Sequence, residues 1–306
     1  APRTETNLTF NSNQTGLPRE FGPANPQAMI LHSTGLYAPP GEPVTVVVPQ
    51  ELVDSGVSVQ VGVHDDTLWH KSKIWRFPSI VRSYPIAETQ FEVGNAFGGP
   101  IFLASPPDAP LGSTWAEFRG GVEAPIYQHG STSFSEWQII RNRSAPWAEI
   151  SSDQFIMSVP SSEIRGLDNP EELMDFWVEA LEMEHELYGF IPWPRIERAA
   201  FDIQISAGWM HSGYPFMAHL VSAQEAVDLE HMESEGSWGM FHELGQNHQW
   251  NPSRLPGTTE TTCNFASVYL MEDLVGLDLG HSALSPQQRH QRMESYFQGG
   301  ADIDDW

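Results

Sequence analysis

Cysteine is nearly missing from this chain of 306 residues, and the single Cys263 excludes an internal disulfide while leaving the redox compartment open. Basic residues are scarce as well. The 15 Lys and Arg stand against 40 Asp and Glu, a formal charge of -25 that repels phosphate backbones and anionic lipid surfaces and argues against nucleic acid as a partner. No apolar run approaches the ~20 residues of a bilayer span, so membrane insertion is not expected. The first residues, APRTETNLTF, lack the basic and apolar regions of a secretory leader. There is no G-x-S-x-G elbow and no phosphate loop, and GNAFGG has the wrong spacing for a dinucleotide fingerprint. No repeat of solenoid or propeller period is found.

What is present divides the chain in two. Residues 1–32 are rich in Asn, Pro, Gly and Thr without periodicity, and read as an extended N-terminal arm or irregular edge. Residues 33–150 carry strand signals: GLYAPPGEPVTVVVP places a Pro/Gly turn before a β-branched run, and VSVQVGVH at 57–64 alternates at period two. Further short runs at 80–86, 91–93 and 100–104, separated by turn punctuation, have the spacing of a β-sandwich. After about residue 150 the period becomes helical. DNPEELMDFWVEALEMEHELYG opens with Asp168 as the expected N-cap, carries Leu173, Phe176, Trp177, Ala180 and Leu181 on one face, and stops at Gly189. A strand is expected at 199–206 and helices at 237–250, 260–275 and 285–297, with GGADIDDW as a solvated tail. The fold class expected is α+β, with residues 151–306 forming the mainly helical part.

The chemistry concentrates in GMFHELGQNHQW, residues 239–250. Zinc peptidases of the H-E-x-x-H type need histidines four apart, because that spacing puts both on one helix face within reach of one ion. Here His242 and Glu243 are followed, at the second histidine's position, by Gln246. Glu243 stands where a general base would deprotonate a metal-bound water. Glu260, eighteen residues after His242, is the right residue type for a third ligand from the following helix. His248 is six residues from His242 and, at ~100° per residue, faces away from the metal side.

GLYAPPGE (35–42), GNAFGGPIF (94–102), DIQISAGWMHSGYPFM (202–217), SWGMFHELGQNHQ (237–249) and TTETTCNFASVYL (258–270) run in the order found in one family. On these segments the chain resembles the enhancin-type, mucin-active gluzincin metallopeptidases, and especially their animal relatives, the TRP-channel-associated factors. The resemblance spans roughly residues 33–300. It implies a β-sandwich packed on a zincin-like subdomain, zinc held by His242, the residue at 246 and Glu260, and a substrate cleft near His211, Tyr214, Trp209 and His219. The animal relatives, so far as the resemblance extends, also lack the second histidine.

Gln246 is the departure. A neutral amide is a far weaker zinc donor than imidazole, and losing one of three protein ligands should leave zinc weak or absent. Three readings stay open: a pseudo-peptidase that binds a protein, glycoprotein or glycan ligand; an active metallopeptidase with an atypical site; and an ordinary enzyme carrying a substituted residue. The segments around Glu243 and Glu260 predict burial for both, which requires a compensating ion, amide or proton. Trp69, Trp75 and Trp209 are the tryptophans expected to be exposed as sugar platforms. Sequons at Asn7, Asn13 and Asn142 predict a secreted glycoprotein whose leader has been removed.

Overall fold

The computed structural model describes residues 1–189, 193–277 and 285–302. Eight strands come first: β1 (Thr4–Ser12), β2 (Ile30–Ala38), β3 (Val44–Val47), β4 (Ser58–Val61), β5 (Arg82–Pro85), β6 (Gln90–Val93), β7 (Gly99–Ser105) and β8 (Gly112–Glu123). They form one antiparallel sheet in the order β5-β4-β7-β2-β8-β3-β6, and β1 pairs with β8 alone. Period two decides which side chains turn inward: Val44 and Val46, Val59 and Val61, Ile101 and Leu103, Ala116 and Phe118 all enter one apolar cluster. Residues 4–12, expected to be part of an irregular arm, are instead an edge strand in register with β8 from Glu5↔Arg119 to Ser12↔Gly112, with a register shift between Thr4 and Glu5. Its polar alternation hid it, since only Phe10 of the nine residues is buried.

A second, mixed sheet is built from β9 (Ile126–Gln128), β10 (Trp147–Ser151), β11 (Phe155–Pro160), β12 (Glu197–Asp202), β13 (Met210–His211) and β14 (Phe216–His219). Its order is β13-β14-β12-β11-β10-β9, so two of its strands lie before residue 151. The long helix Pro170–Tyr188 packs here through Leu173, Phe176, Trp177, Ala180 and Leu181, the face its sequence predicts. Asn169, not Asp168, is its N-cap; Asp168 is drawn away by Arg141, whose Nη1 donates to it at 2.5 Å. Gly189 ends the helix with φ +74°.

The site helix, Trp238–His248, buries Met240, Phe241 and Leu244 in the same core, where Trp177 meets Phe241 edge-on with centroids 6.1 Å apart. The expected helix at 260–275 is segmented into Thr259–Thr262, Asn264–Tyr269 and a π turn, Leu270–Leu274. A terminal helix, Pro286–Gln298, is capped by Ser285. Of the expected tail, Asp304 and Asp305 lie outside the described residues. Among those described, no helix is long and apolar enough to cross a membrane.

The two sheets are joined by chemistry as well as by apolar contact. Arg198 of β12 is fully buried, paired with Glu149 of β10, and donates to Ser33 Oγ (2.9 Å) and the Leu31 carbonyl (3.3 Å) of β2. Leu31, Phe102 and Ala104 of the first sheet pack with Ala200, Tyr214 and Met217 of the second half. Gly245 sets the approach of the site helix to its neighbour: a Cβ there would lie 2.8 Å from Ala266 Cβ and 2.9 Å from the Cys263 carbonyl. Gly245→Ala should therefore lower unfolding free energy by about 1–3 kcal/mol in urea titration, an overpacking cost. An unchanged midpoint would mean the two helices separate freely.

Candidate functional site

Three side chains of the expected metal set meet. The four-residue spacing stacks Gln246 one turn beyond His242, and the single turn Thr259–Thr262 delivers Glu260 opposite them. His242 Nε2 lies 3.1 Å from Glu260 Oε2, Gln246 Nε2 lies 3.0 Å from His242 Nε2, and Gln246 Nε2 lies 2.8 Å from Glu260 Oε2. This triangle is slightly smaller than the ligand face of a tetrahedral zinc site, whose edge is about 3.3 Å for bonds of 2.0–2.1 Å.

The proton assignment follows from the surrounding network. Asn264 Nδ2 donates to the Glu260 carbonyl (2.8 Å), leaving Asn264 Oδ1 to accept from His242 Nδ1 at 2.7 Å. His242 Nε2 then carries a lone pair. Two acceptors, that lone pair and the Glu260 carboxylate, converge on Gln246, so its amide nitrogen faces them and gives one hydrogen to each. The amide oxygen accepts from Ser212 Oγ at 2.7 Å, which holds that orientation. The third corner thus presents N–H hydrogens where a zinc ligand must present a lone pair, and as arranged the residues do not fit a resident zinc ion.

Cys263 is the nearest alternative donor, and its Sγ falls within 4.8 Å of ligand atoms of His242 and Glu260. It is a poor one. The sulfur is 3.5 Å from both ring nitrogens of His242, so it sits against the ring and off the Nε2 lone-pair direction. Burial, with the Glu260 and Glu243 charges, pushes the thiol up to about 12.

Glu243 is buried, 6% exposed, and its Oε2 has no hydrogen-bond partner. Burial raises its pKa to about 7, while His242 and His211 pull in the opposite direction. Glu260 departs from expectation: its side chain is 74% exposed, because a one-turn helix at the open edge carries it.

The other expected site residues sort differently. His211 lies beside the triangle's Ser212, and its Nε2 is 2.9 Å from Asp66 Oδ2 and 3.1 Å from Ser206 Oγ. Trp209 is 60% exposed, meets His219 in a tilted ring contact with centroids 4.8 Å apart and donates to Ser222 Oγ. Tyr214 is not available to a ligand. It is 3% exposed in the seam between the sheets, under the Arg195 guanidinium at 4.3 Å, with its hydroxyl accepting from the Leu31 N–H. His248 faces the opposite side of the helix, fully buried, with Nδ1 2.7 Å from Glu184 Oε2. Burial raises Glu184 and lowers His248, which moves each toward its uncharged form. Asn7, Asn13 and Asn142 are exposed.

Residues the sequence did not flag complete the site. Asn264 could have been found, since it lies four positions after Glu260 on one face. Asp66 and Ser212 come from distant loops and leave no local signal. Asn247 fixes Ser212: it donates to the Gly213 carbonyl (2.9 Å) and accepts from the Gly213 N–H (3.0 Å), while Glu197 anchors it at 2.7 Å.

The His211–Asp66 pair has a defined pH window. Burial alone would lower His211, but the Asp66 hydrogen bond carries its pKa upward; burial would raise Asp66, but bonds from His211 and Ser206 carry it downward. The imidazole's contribution to stability is present below the ordinary histidine pKa and fades as pH rises through the raised value. The carboxylate's contribution is present above the ordinary aspartate pKa and fades as pH falls through the lowered value. The melting-temperature deficit of Asp66→Asn should thus be greatest between about pH 5 and 6 and shrink above neutrality. A deficit constant from about pH 5 to about pH 9 would refute the ion pair.

Comparison with known proteins shows the family to which the chain belongs. Residues 120–306 match the family model for peptidase M60, enhancin and enhancin-like, and residues 3–114 match the N-terminal domain of M60-like peptidases. The chain is 38% identical to TRPM8 channel-associated factor 2 of Bos taurus over 292 residues, covering 94% of this chain and 32% of that protein. It is 39% identical to the TRPM8 channel-associated factor homolog of Xenopus laevis over 293 residues, covering 94% of this chain and 32% of that protein. The chain thus spans about a third of the length of these relatives. Among solved structures, a functionally unknown conserved protein of Bacillus anthracis superposes with TM-score 0.75 at 17% identity, over 96% of this chain and 60% of that one. The M60 catalytic domain of Clostridium perfringens ZmpC, in complex with the sialyl T antigen, superposes with TM-score 0.66 at 13% identity, over 87% and 57%.

Proposed function

The chain belongs to the M60 family of enhancin and enhancin-like peptidases, and on that footing we propose that it is a pseudo-peptidase: a zincin-like (gluzincin) subdomain with its β-sandwich partner, retained as a binding module after hydrolysis was lost. The observation that carries this reading is the Gln246 amide, whose nitrogen satisfies His242 and Glu260 with hydrogen bonds and offers no lone pair to an ion, while its oxygen is turned to Ser212. Zinc is then weakly held or absent. What remains in the cleft suits binding: the unpartnered Glu243 Oε2, the His211–Asp66 pair and exposed Trp209. The class of ligand proposed is a glycoprotein or glycan, as in the ZmpC complex with the sialyl T antigen. Exposed sequons at Asn7, Asn13 and Asn142 support a secreted, glycosylated protein as part of the same proposal.

One observation favours a second reading, an active metallopeptidase with an atypical site: Glu243 keeps the general-base position and a pKa near 7, where proton transfer is efficient. A metal, if recruited, would supply an activated water there; this chain's part is to hold that proton on Glu243 and to orient a ligand through His211.

The two readings separate by metal content. After dialysis against micromolar zinc, the wild type should retain far less than one ion per chain by elemental analysis, and Gln246→His should retain about one. Gln246→His should also cleave an O-glycopeptide that the wild type binds without cleaving, and adding Glu243→Gln should abolish that cleavage. Stoichiometric zinc and turnover in the wild type would overturn the pseudo-peptidase reading.

A further inference from the structure

The loop between β4 and β5 carries WHKSKIWRF, residues 69–77, and within it Lys71 and Lys73 are the only lysines of a chain whose formal charge is -25. The same nine residues expose large apolar side chains. Trp69 is 69% exposed, Ile74 52%, Trp75 66% and Phe77 51%, and Phe97 joins them from the β6–β7 turn. They form a ridge: Trp69 meets Phe77 edge-on at 5.8 Å, and Phe77 stacks on Phe97 at 5.1 Å.

The backbone beneath is fixed. Leu68 is fully buried and its N–H donates to the Pro78 carbonyl at 2.9 Å, closing the loop. Arg76 turns inward to Asp202 (2.7 Å) and to the Asp66 carbonyl (3.0 Å). Gln204 clamps the tip from both sides, accepting from the Trp75 N–H (2.7 Å) and donating to the Lys73 carbonyl (2.9 Å). His70 Nε2 bonds the Ser206 carbonyl at 2.9 Å. A rigid loop that holds apolar side chains out into water has its ordering cost met before any partner arrives. Trp69, Ile74, Trp75 and Phe77 each keep more than half of their surface in water despite the ring contacts among them.

We propose that this loop docks the protein peripherally onto a membrane surface bearing anionic phospholipid headgroups. Tryptophan and phenylalanine suit the boundary between headgroups and acyl chains, and lysine ammoniums above them suit lipid phosphates. Two carboxylates at the loop's base are engaged, Asp202 by Arg76 and Asp66 by His211 and Ser206, and burial with the Asp66 charge raises the pKa of their neighbour Asp65 to about 7, which reduces its opposition to the lysines. A protein partner fits less well, because lysine is depleted at protein–protein interfaces. The rest of the acidic surface is repelled by the same headgroups, which leaves one orientation, loop downward. Asp66 and Ser206 at the loop's base bond His211, so that orientation sets the cleft beside the membrane. The proposal stands whether or not the site hydrolyses anything.

The test is vesicle co-sedimentation of the whole chain. Binding is expected with about 30 mol% phosphatidylserine in phosphatidylcholine, absent with phosphatidylcholine alone, and weakened by salt. Lys71→Glu/Lys73→Glu should weaken it by about tenfold or more, and Trp69→Ser/Trp75→Ser/Phe77→Ser should abolish it, with the melting temperature retained. Should the aromatic variant fail to fold, the lysine pair decides alone, since both lysines lie outside the core. The proposal is overturned by equal binding to both vesicle types, by variants that bind like the wild type, by capture of a Glu-rich peptide with no vesicle binding, or by a dimer that the aromatic variant dissolves.

Discussion

One NH2 group governs the character of the site. In H-E-x-x-H peptidases the corner one turn beyond the first histidine is an imidazole, and the charge of an ion holds three acceptors together. Here two acceptors, the His242 lone pair and the Glu260 carboxylate, stand 3.1 Å apart, and the Gln246 amide gives each a hydrogen. The triangle is therefore closed without an ion. Each such bond contributes about 1 kcal/mol net, somewhat more to the carboxylate, which suffices to hold side chains already positioned by their helices.

The helices are positioned by interactions that do not involve the triangle. Gly245 brings the site helix into contact with the segment bearing Cys263 and Asn264, and that contact sets the reach of Glu260. On the other face, Asn247 links the helix to Glu197, which accepts from Arg195 and Trp193 as well. Buried charge in this region is paired, as low dielectric requires. Apolar packing of Trp177 with Phe155 and Phe241 fixes the helix against the second sheet. Ser212 reaches the amide because Asn247 holds Gly213 from both its N–H and its carbonyl.

Elements with strong local periodicity were legible in the sequence. The long helix, its Gly189 stop, the site helix and the valine-rich strands all follow from spacing of three to four or of two. β1 was not legible, because eight of its nine residues remain at least partly accessible and its partner, β8, lies about a hundred residues away. β8 itself buries Thr114, Ala116 and Phe118 on one face, but its Gly pair and charged residues obscure the alternation. The metal triangle could be anticipated because its members sit on one helix and the next. The parts that decide its chemistry could not: the orientation of an amide depends on Ser212 and Asn264, and Ser212 arrives by a long-range clamp. Tyr214 misled for a related reason, since aromatic residues in a cleft-lining segment serve either the cleft or the seam behind it, and only the fold assigns the side.

The proposed loss of a zinc ligand is compatible with this fold because of where its free energy resides. A small metallo-domain whose core is the metal site unfolds when the ion leaves. Here the apolar clusters lie inside the first sheet, between the second sheet and its helices, and in the seam. Gln246 is tied into the site by hydrogen bonds with His242, Glu260 and Ser212 rather than by those clusters. The buried acid Glu243 would be the exception, since an ion withdrawn from beside it leaves a carboxylate in a poor solvent. Burial raises the Glu243 pKa to about 7, which moves the acid toward its protonated, uncharged form.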